Sequence, residues 1–372
     1  MDHKNRIKLL LETMEEEELD SIIGFSSAAH HVDFGDAVVL LTGVKPMAPS
    51  FAILQKDGSC QLHLAPSWDR ERGEMFSWIS DIVMTDNIGE SFNRTFKTQT
   101  TSPDRIGVVD LKRMPHLVAK NIIDTMGGKP KNMNELFFKA AAQKTDQELE
   151  SARGATQIAE RTYKHMLEIT EPGMKECYLA AELKNYSRSI GADDNFMMFH
   201  AEAHPLAVQP SGERILEKGD LILAEITPSY QGQFAQICRT ACLGPPTDVQ
   251  IEKYDLLVRA MMNGISKARP GVPMKNICLG VDEILCESGY EEYCAPPYMN
   301  RRGHGLGVSS VAPGNVSLKN ETILEDGMFF VVHPNQYIPE VGYILCGEPI
   351  IIRDPLADIL TEDHAALGII NI

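Results

Sequence analysis

Two neighbouring apolar segments in the second half of the chain constrain its fold most strongly. Residues 219–225 read GDLILAE, and residues 234–240 read FAQICRT. Glu225 ends the first segment, Gln236 lies within the second, and the two are eleven positions apart. Short apolar runs of this kind, separated by a few turn-forming residues, are typical of a buried strand pair. The sequence therefore predicts two antiparallel strands that carry isolated polar side chains within an otherwise apolar sheet.

The remaining chain alternates helix-like and strand-like stretches in two blocks. In the first block, helix-like stretches at 6–19, 66–77 and 115–126 alternate with short apolar runs at 21–24, 37–41, 51–54, 60–64, 82–84 and 106–109. This pattern predicts an α/β domain over residues 1–135, closed by a glycine-rich break at 127–132. In the second block, helices at 146–169, 175–190 and 249–267 accompany strands at 221–227, 233–243, 328–333 and 343–352. This second pattern predicts an α+β domain over residues 140–372.

Composition excludes several classes of partner. The formal net charge is −17, and nucleic acids and anionic membranes both require a basic surface. The eight cysteines form no CxxC pair, which argues against a disulfide framework. The start of the chain lacks an apolar signal core, and no apolar run is long enough for a membrane span. We therefore expect a cytoplasmic protein that binds neither nucleic acid nor membrane.

Several segments in the second block resemble one known family when they are taken together and in order. They are residues 144–153 (KTDQELESAR), 171–174 (EPGM), 214–220 (RILEKGD), 303–307 (GHGLG) and 327–334 (GMFFVVHP). They resemble the creatinase/prolidase/methionine-aminopeptidase family of pita-bread proteins. The resemblance implies a pita-bread domain of the α+β class preceded by a smaller creatinase/prolidase-type domain. In character the chain is closest to the metal-free, creatinase-like hydrolases.

The resemblance also identifies five positions that hold two cations in metal-dependent members of the family. The usual ligands are two aspartates, one histidine and two glutamates. Here the corresponding residues are Glu225, Gln236, His304, His333 and, with Gly347 competing for the position, Glu348. Two adjacent cations need bridging carboxylates to offset their repulsion, so we expect no dinuclear centre. A metal-free site is favoured, and the alternative is one divalent ion held by Glu225, His304, His333 and Glu348.

The same resemblance gives candidate roles to individual side chains. His304 and His333 are expected to transfer protons, with Glu225 and Glu348 orienting them or holding a cationic substrate. His200, His204, Gln236, Cys238 and Arg239 are candidates for substrate contact. Cys238 is also a candidate nucleophile, provided that its pKa is lowered by a neighbouring charge. Arg301 and Arg302 precede the His304 loop and could attract a carboxylate.

These expectations lead to a ranked set of functions. The leading prediction is an enzyme that hydrolyses a C–N bond of a small non-peptide compound, such as a cyclic amide or a guanidino metabolite. The alternatives are a lyase, an Xaa-Pro dipeptidase with a single unusual metal, and a non-catalytic protein that binds peptides. The resemblance also implies a homodimer, and it leaves open whether His30 or His31 reaches the partner's cleft.

Overall fold

The chain folds into two compact units. The structure is a computed structural model that describes residues 3–28, 35–96, 102–310, 312 and 314–372. The units are Met1–Gln147 and Glu148–Ile372. His30 and His31 lie outside the described residues. Within the described part of the chain, no helix is long and apolar enough to cross a membrane.

The described part of the N-terminal unit contains one mixed sheet with helices between its strands. The strands follow the order β4-β3-β2-β1-β5-β6, with parallel pairing at β3–β4, β1–β5 and β5–β6. The strands are β1 Ser21–Ser26, β2 Ser50–Gln55, β3 Cys60–Leu64, β4 Asp81–Met84, β5 Ile106–Val108 and β6 Lys131–Asn132. The helices are α1 His3–Glu16, α2 Ala37–Thr42, α3 Arg70–Phe76, α4 Ile88–Phe96, α5 His116–Met126 and α6 Asn134–Ala140.

Helix α2 corrects one sequence expectation. The apolar run at 37–41 has the length of a strand, but it forms a short helix in which every residue is buried. The Asp36 carboxylate accepts hydrogen bonds from the amides of Val38 and Val39, and Gly43 ends the helix with a φ of 82°. Asp36 thereby pairs amides that the start of a helix leaves unpaired. Gly43 adopts the left-handed conformation that commonly ends a helix. The two caps therefore outweigh the β-propensity of the valines.

A buried histidine links the stability of the N-terminal unit to pH. The His63 ring stacks on Phe51 at 4.1 Å between centroids, and its nitrogens contact Ser91 Oγ at 2.8 Å and Gln61 Oε1 at 2.6 Å. Burial lowers the pKa of His63 from 6.5 to about 4. The unfolded chain therefore binds a proton at a pH where the folded unit does not, and protonation favours unfolding.

We expect the free energy of unfolding of this unit to fall as the pH drops below about 6.5, by up to about 3 kcal/mol near pH 4. Trp68 and Trp78 are the two tryptophans of the chain, so their fluorescence reports urea unfolding of this unit alone. His63→Gln should remove most of the difference in stability measured between about pH 7 and about pH 5. An identical pH dependence in the variant and the parent protein would contradict this assignment.

In its described residues, the C-terminal unit combines four α-helices with two larger sheets and a hairpin. Its helices are α7 Asp146–Ile169, which begins at the boundary, α8 Glu176–Ser189, α9 Asp248–Ser266 and α10 Lys275–Glu287. Its strands are β7 Asp194–Glu202, β8 Leu221–Tyr230, β9 Gln233–Phe234, β10 Ile237–Leu243, β11 Gly303–Gly305, β12 Phe329–Val332, β13 Gln336–Ile338, β14 Gly342–Ile344, β15 Glu348–Ile351, β16 Asp358–Ile359 and β17 Gly368–Ile370. The sheet orders are β17-β10-β8-β7, β11-β12-β15-β16 and β13-β14, with β9 paired to β8.

The first of these sheets has two chemically different faces. Alternate residues of β8, Ile222, Ala224 and Ile226, belong to a core cluster that includes residues of α7 and α8. Because side chains alternate along a strand, Leu223 and Glu225 point to the other face. There Leu223 packs with Cys238 and Leu345. The fold therefore covers one face with helices and directs Glu225 and Cys238 to the opposite face.

Candidate functional site

Strand register brings Glu225 and Cys238 together. Strands β8 and β10 pair antiparallel as predicted, and Glu225 lies directly opposite Cys238. Glu225 Oε1 accepts a hydrogen bond from Asn335 Nδ2 at 2.9 Å. Burial raises the pKa of the Glu225 carboxyl, against the opposing effects of Asn335 and of the Arg301 charge. Burial also raises the pKa of the Cys238 thiol, and the neighbouring Glu225 raises it further. This direction argues against Cys238 as an activated nucleophile.

His333 lies just after β12 and completes a group of three. One ligand atom each from Glu225, Cys238 and His333 lie within 4.8 Å of one another. The backbone amide of His333 donates to the Arg302 carbonyl at 2.9 Å. Neither ring nitrogen of His333 has a hydrogen-bond partner among the described residues, although the residue is only 8% exposed. Burial and the neighbouring His304 lower its pKa well below 6.5, so this imidazole is neutral at pH 7.

His304 on β11 faces His333. The two rings are 5.0 Å apart between centroids and meet edge to face. Nδ1 of His304 lies 2.9 Å from the Gly305 carbonyl oxygen. A carbonyl can only accept, so Nδ1 carries the proton and Nε2 keeps a free electron pair. Burial lowers the pKa of His304 to about 4, and the charge of Arg301 lowers it as well. The ring is therefore a neutral proton acceptor at Nε2.

These contacts define a central cluster of Glu225, Gln236, Cys238, His304 and His333. Gln236 joins it through a hydrogen bond from Nε2 to Cys238 Sγ at 3.3 Å. Glu225 is its one carboxylate. A pair of hard divalent cations needs several oxygen ligands and bridging carboxylates. The residues present in the cluster do not fit two cations.

Glu348 was expected beside the histidines, but the structure places it in a different group. A Cβ atom built on Gly347 would stand 2.7 Å from His333 Cβ and 3.0 Å from Cys238 Cβ, so the backbone position that faces the central cluster is Gly347. Side chains alternate along the strand, and Glu348 therefore points away. It accepts hydrogen bonds from Thr361 Oγ1 at 2.6 Å, from the Ala365 amide at 2.6 Å and from Arg239 Nη2 at 3.0 Å.

Arg239 was expected to contact substrate, and the structure instead shows a buried cation that is fully engaged with the protein. Besides Glu348, its guanidinium donates to the carbonyls of Gly347 at 2.7 Å, Cys238 at 3.1 Å and Asp363 at 3.2 Å. The side chain is 3% exposed, and that of Glu348 is 0% exposed. This ion pair ties β10 to β15 and does not present a charge to a ligand.

His200 and His204, both candidates for substrate contact, differ in their surroundings. His200 lies on β7 with Nδ1 3.2 Å from Glu176 Oε1 and Nε2 3.5 Å from Glu202 Oε2. Glu176 also accepts from the amides of Ala201 and Gly212, so His200 belongs to a polar group that anchors a loop. His204 is exposed, and its ring meets that of Tyr337 edge to face at 6.1 Å.

An aromatic group extends from His204. Tyr337 lies 5.7 Å from Tyr293 and 5.9 Å from Tyr298 between ring centroids, and the ring of Tyr298 is stacked on that of Tyr337. Across the β13–β14 hairpin, Tyr337 pairs with Tyr343, and Tyr343 packs against the side chains around Cys238. We call the rings of Tyr293, Tyr298 and Tyr337 the aromatic wall, and the hairpin connects this wall to the central cluster.

Sequence reasoning missed Asn335, which shapes this site, and gave Arg302 a different role from the one that the structure shows. Asn335 holds Glu225 and adopts a φ of 28°, a conformation that asparagine tolerates better than most residues. Arg302 is 0% exposed and binds Asp282, the Pro334 carbonyl and Gln336, each at 2.8 Å. It fixes the segment after His333 and is not available to attract a substrate. The sequence signal for Asn335 was an asparagine directly after His333-Pro334. The role of Arg302 has no local sequence signature.

Comparison with known proteins identifies the family. The sequence model of Metallopeptidase family M24 matches residues 150–354, which is more than half of the chain. This chain belongs to that family, as the resemblance to the pita-bread proteins predicted. The fold agrees, since the chain superimposes on the Xaa-Pro dipeptidase from Bacillus anthracis with a TM-score of 0.85, covering 99% of this chain and 100% of that one at 21% identity. The prolidase from Pyrococcus horikoshii OT3 gives a TM-score of 0.83 at 22% identity, covering 97% and 99%.

Among the proteins similar in sequence, some match this chain over almost their whole length and others over only part of it. The Xaa-Pro dipeptidase of Pyrococcus furiosus is 24% identical over 368 residues, which is 98% of this chain and 99% of that protein. The uncharacterized peptidase YqhT of Bacillus subtilis is 29% identical over 214 residues, or 57% of this chain and 60% of that protein. The expected hydrolysis of a non-peptide C–N bond is wrong in the light of these relatives, because they are named as peptidases.

The reason for that error lies in the weight given to single positions. Glu225, Gln236 and His333 stand at positions where the resemblance implied other metal ligands, and this interpretation suggested a chemistry close to that of creatinase. Overall similarity instead places the chain in Metallopeptidase family M24, and the relative matched over almost its whole length is named an Xaa-Pro dipeptidase. A few changed residues in a site can alter its chemistry, but they do not change the family to which the whole chain belongs.

Proposed function

We propose that this protein hydrolyses short peptides of dipeptide size, in the manner indicated by the names of its Xaa-Pro dipeptidase relatives. One observation carries the proposal: two buried neutral imidazoles, His304 and His333, meet edge to face beside Glu225. Proton transfer by a positioned neutral imidazole suits the hydrolysis of an amide near pH 7.

The residues of the central cluster divide the proton transfers between them. His304 Nε2 accepts a proton from the attacking water as the water oxygen bonds to the peptide carbonyl carbon. The same proton then passes to the leaving amine nitrogen, the C–N bond breaks, and the products are a carboxylic acid and an amine. The hydrogen bond from His304 Nδ1 to Gly305 keeps the ring in the tautomer that this step requires.

A cation pair of the kind that the family's name suggests has no matching set of ligands in the central cluster, and we derive no step through it. Glu225 is held by Asn335 next to His333. Its carboxylate can therefore orient the attacking water or a cationic group of the substrate beside the two imidazoles.

Arg301 and the aromatic wall supply recognition of the peptide. The charge of Arg301 lowers the pKa values of Glu225, His304 and His333, so it acts across the central cluster. Arg301 is half-buried and donates to Asn315 Oδ1 at 3.1 Å. Its guanidinium is suited to a free α-carboxylate. The aromatic wall of Tyr293, Tyr298 and Tyr337 offers ring faces for an apolar side chain or a proline ring.

Two further features belong to the proposal. All eight cysteines are free thiols, which supports a reducing compartment such as the cytoplasm. The family resemblance supports a homodimer with closed twofold symmetry, and light scattering of the purified chain would check it. A monomer at micromolar concentration would contradict the dimer without affecting the proposed reaction.

The proposed activity is tested with a panel of unblocked dipeptides, with and without proline at the second position, in the presence of added divalent cations. We expect cleavage of unblocked dipeptides and a lower kcat/KM for C-terminally amidated ones, because amidation removes the charge that Arg301 binds. Arg301→Gln should reduce kcat/KM by about 10- to 100-fold, mainly through KM. Arg353→Gln is the matched control, since Arg353 is a partly exposed arginine that pairs with Asp326 at 2.6 Å and contributes no charge effect to the pKa values of the central cluster. Tight binding of dipeptides without turnover would make this a binding protein and overturn the proposal.

A further inference from the structure

One group of three side chains in the C-terminal unit, two of them buried, has the composition of a site for a single soft cation. Glu225, Cys238 and His333 offer a carboxylate, a thiol and an imidazole. All three are zinc ligands, and three protein ligands with an open fourth position are typical of catalytic zinc. We propose that these residues bind one thiophilic divalent cation of the zinc class, and that Cys238 is the ligand that selects it.

The geometry is close to what such an ion requires. Ligand atoms around a tetrahedral zinc, with bonds of about 2.0–2.3 Å, stand roughly 3.4 Å apart. The three ligand atoms here lie within 4.8 Å of one another, so small side-chain rotations bring them into range. The backbone already holds two of them, because Glu225 and Cys238 face each other in the β8–β10 ladder.

Gly347 provides the space in which the third ligand approaches. It forms an isolated bridge with Cys238, and a Cβ atom on it would stand 2.7 Å from His333 Cβ and 3.1 Å from Cys238 Sγ. Any larger residue at this position would therefore separate the thiol from the imidazole. The absence of a side chain at Gly347 allows Cys238 and His333 to share one ion.

His333 gives independent support for a ligand. It is 8% exposed, and neither of its ring nitrogens has a hydrogen-bond partner in the part of the chain that the structure describes. Buried polar groups of this kind are rarely left without a partner. An ion bound through one ring nitrogen would satisfy that atom, and it would account for a buried imidazole at this position after β12.

The donor set also determines the kind of ion. Thiolate ligands favour zinc and cobalt over magnesium and manganese, which prefer oxygen. One carboxylate and one thiolate together balance the charge of one divalent ion, and no second carboxylate in the central cluster is left to hold another. This inference goes beyond the proposed peptidase activity, because ion binding is measured without any substrate.

The test is a titration of the full chain, stripped with a chelator, with cobalt(II) alone. We expect a thiolate-to-cobalt charge-transfer band in the near ultraviolet that saturates at about one ion per chain, as for a single set of three protein ligands. Zinc should abolish the band, since zinc binds such sites more tightly than cobalt. Manganese and magnesium at the same concentration should leave it unchanged.

Variants identify the ligands. Cys238→Ser should abolish the band and weaken cobalt binding by more than the 10- to 100-fold that is typical of outer-shell changes. Cys242→Ser is the matched control, because Cys242 lies on the same strand, is also buried and contacts Gln250. Cys238→Asp, whose carboxylate still binds an ion, should lose the band, keep about one cobalt per chain and bind manganese better.

Three results would overturn the inference: no cobalt bound, about two ions bound per chain, or a band that persists in Cys238→Ser with circular dichroism unchanged. Failure of the peptidase proposal is separate, because a protein that cleaves no dipeptide can still show the cobalt band. Conversely, cleavage of dipeptides by a protein with no band would support the proposed function and refute this site.

Discussion

Arg239→Met is expected to destabilise the C-terminal unit by about 3–5 kcal/mol, because it leaves the Glu348 carboxylate buried without its cation. Both side chains are almost completely buried, and the guanidinium also donates to three backbone carbonyls. The measurement is urea unfolding followed by circular dichroism. Tryptophan fluorescence in the same samples should change little, since Trp68 and Trp78 both lie in the N-terminal unit.

Two further variants separate the ion pair from a general effect of losing an arginine. Replacing both partners, Arg239→Met with Glu348→Leu, should recover a large part of the lost stability, because no buried charge then remains unpaired. Arg353→Met removes the more exposed pair with Asp326 and should cost less than about 1 kcal/mol. A single Arg239→Met variant as stable as the parent would show that Glu348 is neutralised in some other way.

The long helices were predicted well because their apolar periodicity extends over many turns. The predicted helix at 146–169 coincides with α7, and those at 175–190 and 249–267 match α8 and α9 within one or two residues. The β8–β10 pair was also predicted, because its runs are apolar and the connection between them is short. Signals that repeat over many residues tolerate local exceptions.

Short elements and side-chain direction could not be predicted in the same way. The run at 37–41 has no periodicity that separates a strand from a buried helix, and Asp36 and Gly43 decided the outcome through backbone caps. The side chain of Glu348 depended on strand register, and a shift of one residue moves a side chain to the other face. The sequence offered both Gly347 and Glu348 for one position, and only the three-dimensional contacts distinguish them.

Only part of the candidate site could be predicted from the sequence, because some of its residues are brought together by the fold alone. Glu225, His304 and His333 were recognised from the family frame, and the structure brings all three together. Cys238 was proposed as a substrate contact or nucleophile, whereas its position opposite Glu225 suits an ion ligand. No spacing rule links a strand cysteine with a histidine ninety-five residues later, because the fold alone makes them neighbours.

His304→Ala and His333→Ala are each expected to lower kcat/KM for dipeptide cleavage by about 100- to 10,000-fold, the range for loss of a positioned acid–base group. The reasons differ between the two variants. His304 supplies the proton acceptor at Nε2, fixed by its bond to Gly305. His333 is a ligand of the proposed cation and also borders the ring of His304. Steady-state kinetics on an unblocked dipeptide gives the measurement.

The cobalt spectrum distinguishes these two roles within the same pair of variants. His304→Ala should keep the charge-transfer band while it loses turnover, and His333→Ala should lose both. His116→Ala is the matched control, since His116 is an exposed histidine at the start of α5 in the other unit, and it should keep parental kinetics. If both active-site variants keep turnover within about threefold of the parent, neither imidazole transfers a proton in the rate-limiting step. The proton acceptor would then have to be Glu225, whose buried carboxyl with its raised pKa is the other acid–base group of the central cluster.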